Sequence, residues 1–223
     1  MSKHYADIAF TSSVRKVQEH HGTAGYFPAP DAGALADSAA DPLGLREQTY
    51  LEERDGMYLA SMGETGWPYV QFRGGPPGFL KVLDKHTIGW ADFQGNLQYV
   101  STGNIRAAER VAIIAVDYAS QTRLKLFGRA RIVTPEDGPD ILKALTVEGY
   151  RGAVERAVIV EVEAYDWNCP RHITPRYTLA ELEEIIDPVR QRIGRLEAEN
   201  AALRARLAKV WDPPARGPVP GLQ

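Results

Sequence analysis

Asp92, Gln94, Asn96, Gln98, Ser101, Thr102 and Asn104 crowd into one short stretch, GWADFQGNLQYVSTGN, between two apolar runs. Amides, hydroxyls and one carboxylate supply donors and acceptors but no nucleophile with a neighbouring base. The chemistry they suit is therefore capture of a polar or anionic group, not bond cleavage. Asn104 reads as the cap of a helix over IRAAER, whose free amides would face an anion while Arg106 and Arg110 add positive charge. Ordinary turn chemistry accounts for the same residues, because Gly, Asn, Asp and Ser satisfy their own backbone in loops. More donors lie on either side. Gln71 and Arg73 share one face of a predicted strand, and Arg123 and Lys125 share one face of another. All four reach the turn only if those strands are neighbours; solvent-facing alternation would give the same pattern.

Familiar catalytic patterns are missing: the sequence holds no phosphate-binding glycine loop, nucleophile elbow, dinucleotide fingerprint or helical pair of zinc histidines. No metal site is expected. His20 and His21 stand at a helix end beside Gly22, which suits a dipole partner or a solvated tip. Cys169 is the only cysteine, so no internal disulfide can form and a reducing compartment suits the chain. His172, three residues on, could meet a substrate or simply tie a loop to backbone.

The elements that must position these residues are legible from Met57 onward. MYLASM, PYVQFR, FLKVLD, TIGWAD, VAIIAVDY, RLKLFGRARIV and AVIVEVEAY are short runs rich in β-branched and aromatic residues, each bounded by turn signals. PEDGPDILKALTV has helical spacing instead. The expected fold is mainly β with peripheral helices, a β-barrel at the spacing of these runs or else two packed sheets, since a long open sheet edge invites aggregation. Before it, Thr11 to Ser13 cap a helix over VRKVQEHH, an irregular Gly, Pro and Ala stretch follows, and a second helix is expected over roughly 43–54.

The C-terminal segment has another period. Ile186, Ile193, Asn200 and Leu207 fall at heptad position a, and Val189, Leu196, Leu203 and Val210 at d, the seam of a coiled coil. Arg192 faces Glu197 of a second chain and Glu199 faces Arg204, so a parallel homodimeric coil is expected; the alternative is a stripe packed on the chain's own barrel. Acidic LAELEEIID upstream argues against a DNA-binding zipper. These patterns divide the chain into 1–42, a barrel over 43–177, a helix over 178–211 and a disordered tail over 212–223.

A formal charge of −3, from 26 basic and 29 acidic residues, gives no field that would draw the chain to nucleic acid or an anionic membrane. The start, MSKHYADIAFTSS, lacks the pattern of a signal peptide, and no segment approaches bilayer-spanning length, so a cytoplasmic protein is expected.

GWPYVQFRGGPPGFLKVLDKHTIGWADFQGN, followed by STGNI, RVAIIAVDY and RLKLFGRARIV, resembles the FMN-binding split barrel of the pyridoxamine 5′-phosphate oxidase family. NCPRHITPRY is similar to the end of the barrel in one branch of that family. The resemblance implies a homodimer with FMN at the subunit interface. It implies Gln71, Phe72, Arg73 and Gly74 beside the isoalloxazine and ribityl chain, Trp90, Ala91 and Asp92 close by, and Asn96 and Gln98 at the phosphate. It places Arg123 beside the cofactor from either subunit. Many relatives carry Arg or Lys in the polar turn, whereas this chain reads QGNLQ and must neutralise phosphate with Arg73, Arg123 or Lys125. The substrate segment of the true oxidase has no counterpart in NCPRHITPRYTLAELEE, so vitamin B6 oxidation is not expected. The implied activity is flavin-dependent oxidoreduction of a small molecule, with a nicotinamide as a possible reductant, and flavin chemistry explains the missing acid and base. The deazaflavin F420, with a longer acidic tail, would want a more basic channel. The alternative is a non-catalytic barrel, with or without flavin, whose coil mediates assembly.

Overall fold

The structure, a computed structural model, describes residues 1–31 and 39–210; the tail expected over 212–223 lies outside them. Two compact units divide the chain, Met1–Pro175 and a second beginning at Arg176.

In the first unit seven strands form one antiparallel sheet in the order β2-β1-β5-β6-β7-β4-β3. They are β1 (Gly56–Met62), β2 (Pro68–Gly74), β3 (Leu80–Asp84), β4 (Thr87–Phe93), β5 (Arg110–Asp117), β6 (Thr122–Val133) and β7 (Val154–Trp167). Alternation explains the core: Met57 and Leu59 of β1, Val111 and Ile113 of β5, and Leu124 and Leu126 of β6 point inward and are buried, while their neighbours point out. The sheet curls into a split barrel. Arg73, on the β2 end, comes within 3.1 Å of Asp92 on β4, near the other end of the strand order.

β7 departs from alternation over Ala157–Val160, where four successive residues are buried. Both faces are covered there, which is why the sequence runs apolar without a break. The second cover is α5 (Pro139–Leu145), whose Leu145 joins Ala91, Val133, Ala157 and Ile159 in a cluster apart from the barrel core. Where β6 crosses β7 the register shifts between Phe127 and Gly128. A side chain at Gly128 would put Cβ 2.5 Å from the Glu161 carbonyl oxygen, so the bulge requires glycine.

Helix α3 (Leu45–Glu52) closes one end of the barrel. Its Tyr50 hydroxyl donates to the Thr122 carbonyl at 2.9 Å and accepts from the Asp117 N–H at 3.0 Å, while Leu51 is fully buried. α2 (Ser12–His20) has Thr11 as its cap. The preceding α1 (Lys3–Ala9), which no sequence signal marked, buries His4, Tyr5, Ala6 and Asp7 against β7 and β6, where the Tyr5 ring lies 5.2 Å from that of Phe127.

The second unit contains α6, Leu179–Val210, 32 residues long. Glu181 accepts from the N–H and hydroxyl of Thr178 at 2.7 and 2.8 Å, and its own N–H donates back to Thr178 at 3.2 Å, a reciprocal cap that fixes the start. Pro188 lies inside the helix. Lacking an N–H, it removes the bond to the Glu184 carbonyl. Among the described residues no helix is long and apolar enough to cross a membrane.

Candidate functional site

A cleft of about 280 Å³ opens where β2, the end of β4, the following turn and the start of β7 meet. β2 presents Tyr69, Gln71 and Arg73 to it because these share one face of the strand, while Val70 and Phe72 point outward and are 59% and 55% exposed. Tyr69 donates its hydroxyl proton to Gln71 Oε1 at 2.6 Å, which fixes the amide and leaves its N–H₂ as a donor.

Asp92 is the electrostatic centre. Its carboxylate lies 3.1 Å from the Arg73 guanidinium and 3.5 Å from Arg156, and Arg156 is its direct partner in the β4–β7 ladder. Burial raises the Asp92 pKa above the usual value of 3.8, against the pull of Arg73 and Arg156 and with a further push from Glu155. Glu155 in turn contacts Arg156 and accepts from the Tyr99 hydroxyl at 3.2 Å; the Arg156 guanidinium lies 4.7 Å from the centre of the Tyr99 ring. Two cations and two carboxylates leave the cleft without net charge.

The far wall is the N-terminus of α4 (Val100–Ala108). Its cap is Tyr99 in a left-handed conformation, φ 52°, with no side chain capping the helix. Leu97 before it also has positive φ, 62°. The first helical bond is Gly103 N–H to the Tyr99 carbonyl at 2.9 Å. Val100, Ser101 and Thr102 therefore keep the unsatisfied amides and positive dipole end of a helix start. Ser101 is 3% exposed, and its hydroxyl has no protein partner. Thr102 accepts from Arg156 at 3.5 Å. Arg73 keeps a buried Nε–H without a hydrogen bond, and the Nε of Arg156 has only its 3.5 Å ion-pair contact with Asp92. A buried polar group left unpartnered costs free energy comparable to a lost hydrogen bond. The wall is short of an acceptor-rich group, and a phosphate ester fits that donor set.

Of the residues singled out in the sequence, the cleft gathers Gln71, Arg73, Asp92, Asn96 and Gln98; Asn96 turns its side chain to accept from the Gln98 N–H at 3.1 Å. Others lie elsewhere. Trp90 and Ala91 are 1% and 2% exposed in the core, because both faces of β4 are covered. Arg123 and Lys125 do not reach the cleft, since they lie beside the Asp166–Trp167 end of β7, whereas Glu155 and Arg156 at its start line the cleft. Lys125 instead pairs with Asp166 at 3.2 Å. Arg123 lies beside the Asn168 side-chain amide, and its carbonyl accepts from the Asn168 N–H at 3.1 Å. His172 is exposed with φ 68° and is not part of the cleft. Asn104 does not cap α4. The helix begins at Val100, Asn104 donates to the Ser61 hydroxyl at 3.1 Å, and Arg106 falls in the last turn, away from the amides it was expected to support. Arg110 opens β5. Sequence reasoning missed Arg156, Glu155 and Tyr99, whose only signal was their place at the edges of apolar runs. Among the described residues no group of three or more His, Cys, Asp or Glu side chains could hold a metal ion.

The sequence profile of the pyridoxamine 5′-phosphate oxidase family matches residues 46–171, more than half of the chain and all seven strands. The chain belongs to that family. Among solved structures it is similar to HupZ of Group A Streptococcus, with 16% identity over 60% of this chain and 100% of that one and a TM-score of 0.46. It is also similar to a putative pyridoxamine 5′-phosphate oxidase from Lactobacillus delbrueckii, with 22% identity over 57% and 95% of the two chains and a TM-score of 0.44. An FMN-binding protein from Syntrophomonas wolfei gives 10% identity over 56% and 86% and a TM-score of 0.43. No curated protein sequence matches. At such identities these likenesses say nothing of activity.

Proposed function

We propose that the chain is an FMN-dependent oxidoreductase that works on a small molecule, as a homodimer with the flavin at the subunit interface. The observation that carries this reading is the buried, unpartnered Ser101 hydroxyl beside the uncapped start of α4. That wall suits the phosphate of FMN, with Ser101, Thr102 and Arg156 as donors and Asn96 and Gln98 at the rim. Gln71 and Arg73 would line the ribityl chain and the pyrimidine edge, whereas the space beside Gly74 is taken by the Phe72 ring, 2.7 Å from where a side chain would begin. When bound, the flavin supplies hydride or electron transfer at N5, so the protein's own tasks are orientation, charge balance and exclusion of water. A nicotinamide could serve as the reductant.

The second copy is supported by the outward face of β1, β2, β5 and β6. Tyr58, Met62, Val70 and Phe72 are 37 to 59% exposed there, and two shallow grooves lined by Ala60, Ala112, Ile114 and Phe127 continue the patch. An apolar patch of this kind marks an association surface. Phe72, Arg123 and Lys125 lie on that face, so they would meet a flavin only where two copies join.

One observation favours the non-catalytic reading. Asp92 and Glu155 already neutralise Arg73 and Arg156, and a neutral cleft holds phosphate less firmly than a cationic one. The two readings part on the visible spectrum of the purified chain, chromatography of anything released on denaturation, and titration with added FMN and NADH or NADPH. A flavin absorbance with turnover is expected. A colourless protein that takes up no FMN overturns the enzyme assignment.

A further inference from the structure

We infer that α6 zips, parallel and in register, onto α6 of a second copy of this chain. The helix carries the seam further than Ile186: Leu179 continues position a and Leu182 position d, so all 32 residues of α6 follow one heptad frame with ten apolar or Asn seam positions. Such a repeat sustained over more than three or four heptads is a coiled-coil signature. At 1.5 Å per residue the stripe is about 48 Å long. None of α6 is buried, and Val189, Ile193, Leu196 and Leu203 are 46 to 62% exposed. Pro188 falls at position c, on the side facing away from a partner.

The occupant follows from charge and from one amide. In a parallel pair Arg192 at g meets Glu197 at the partner's e, and Glu199 meets Arg204, so these two successive charged g positions each have an opposite charge across from them. Antiparallel pairing also matches some of these charges, and Asn200 decides between the two. Parallel and in register, each Asn200 meets its own copy and both amides are hydrogen-bonded. Antiparallel, each faces an apolar d residue and stays unsatisfied. Ile at a with Leu at d, the pairing at Ile193 and Leu196, favours two strands.

The test uses the full chain with Cys169→Ser, adding Leu196→Cys or Leu203→Cys at d, or Ala205→Cys at f as the control. Each is oxidised mildly and run without reductant. In a parallel pair both d positions lie within disulfide reach of their own copies and f does not, so the two d variants should become covalent dimers and the control should remain single chains. If the d variants cross-link no more than the control, the zipper is overturned, whether the cause is antiparallel pairing or a different partner. The seam side chains are exposed, so these substitutions leave the barrel intact. FMN uptake in the same variants reports the proposed function separately.

Discussion

Asp92 and Arg156 face each other across the β4–β7 ladder, and the same carboxylate holds Arg73 from β2 at 3.1 Å. One buried acid thus ties together both guanidiniums of the cleft. Arg156→Ala removes the cation nearest Ser101 and Thr102. A hydrogen bond to a charged group is worth about 1.5–3 kcal/mol, and 1.4 kcal/mol is about tenfold in affinity. FMN should therefore bind roughly ten- to a hundredfold more weakly in a fluorescence titration. Unchanged affinity would place the phosphate elsewhere.

Asp92→Asn works in the opposite direction. It removes one negative charge from a cleft that is otherwise neutral, so FMN should bind more tightly than to the unaltered chain at neutral pH. Because the Asp92 pKa is raised above 3.8, chiefly by burial, the unaltered chain loses the same charge as pH falls through that raised value. The variant's advantage should narrow over the same interval. Affinities measured from neutral pH down to acid decide it, and a gap that stays constant would remove Asp92 from the account.

Gly128→Ala tests the bulge. The added methyl would sit 2.5 Å from the Glu161 carbonyl oxygen and 2.6 Å from Val160, backbone and core that cannot move aside independently. Overpacking of this kind costs about 1–3 kcal/mol. Chemical denaturation should show a lower midpoint with an unchanged slope.

Val70→Lys probes the outward face. At 59% exposure Val70 contributes little to the fold, so stability should change by less than about 0.5 kcal/mol. FMN retention should fall at least about tenfold, since a buried unpaired ammonium between two sheet faces is costly. Full retention would mean that the flavin does not depend on this surface.

Asn200→Leu should leave flavin binding as it is while loosening the choice of oligomer. Polar Asn at one a position specifies two strands at some cost in stability. Light scattering should show a mixture of higher species and a raised melting temperature for the helix.

Local patterns in the sequence sufficed for all seven strands and for the helices α2, α3, α5 and α6, because each rests on a period or a turn signal within its own few residues. Where the reading failed, distant contacts decided. α1 is too short to show a period and is held by burial of Tyr5 and Ala6. The start of α4 depends on Tyr99 in a left-handed turn, a conformation that composition assigns to Gly or Asn, so Asn104 drew the boundary five residues late. Arg156 gains its meaning only from pairing with Asp92, some sixty residues earlier in the chain. Arg123 and Lys125 have the right charge on a strand next to β7, but they lie beside its Asp166–Trp167 end and not beside the Glu155–Arg156 end that lines the cleft.

Pro188 gives α6 a weak joint. With the rung to Glu184 missing, the first heptad is mechanically separated from the three that follow, and opening should start there instead of at the frayed ends alone. Amide exchange along the helix should then peak around residues 184–189, dividing the zipper into a short segment nearest the barrel sequence and a longer, slower-exchanging grip beyond it.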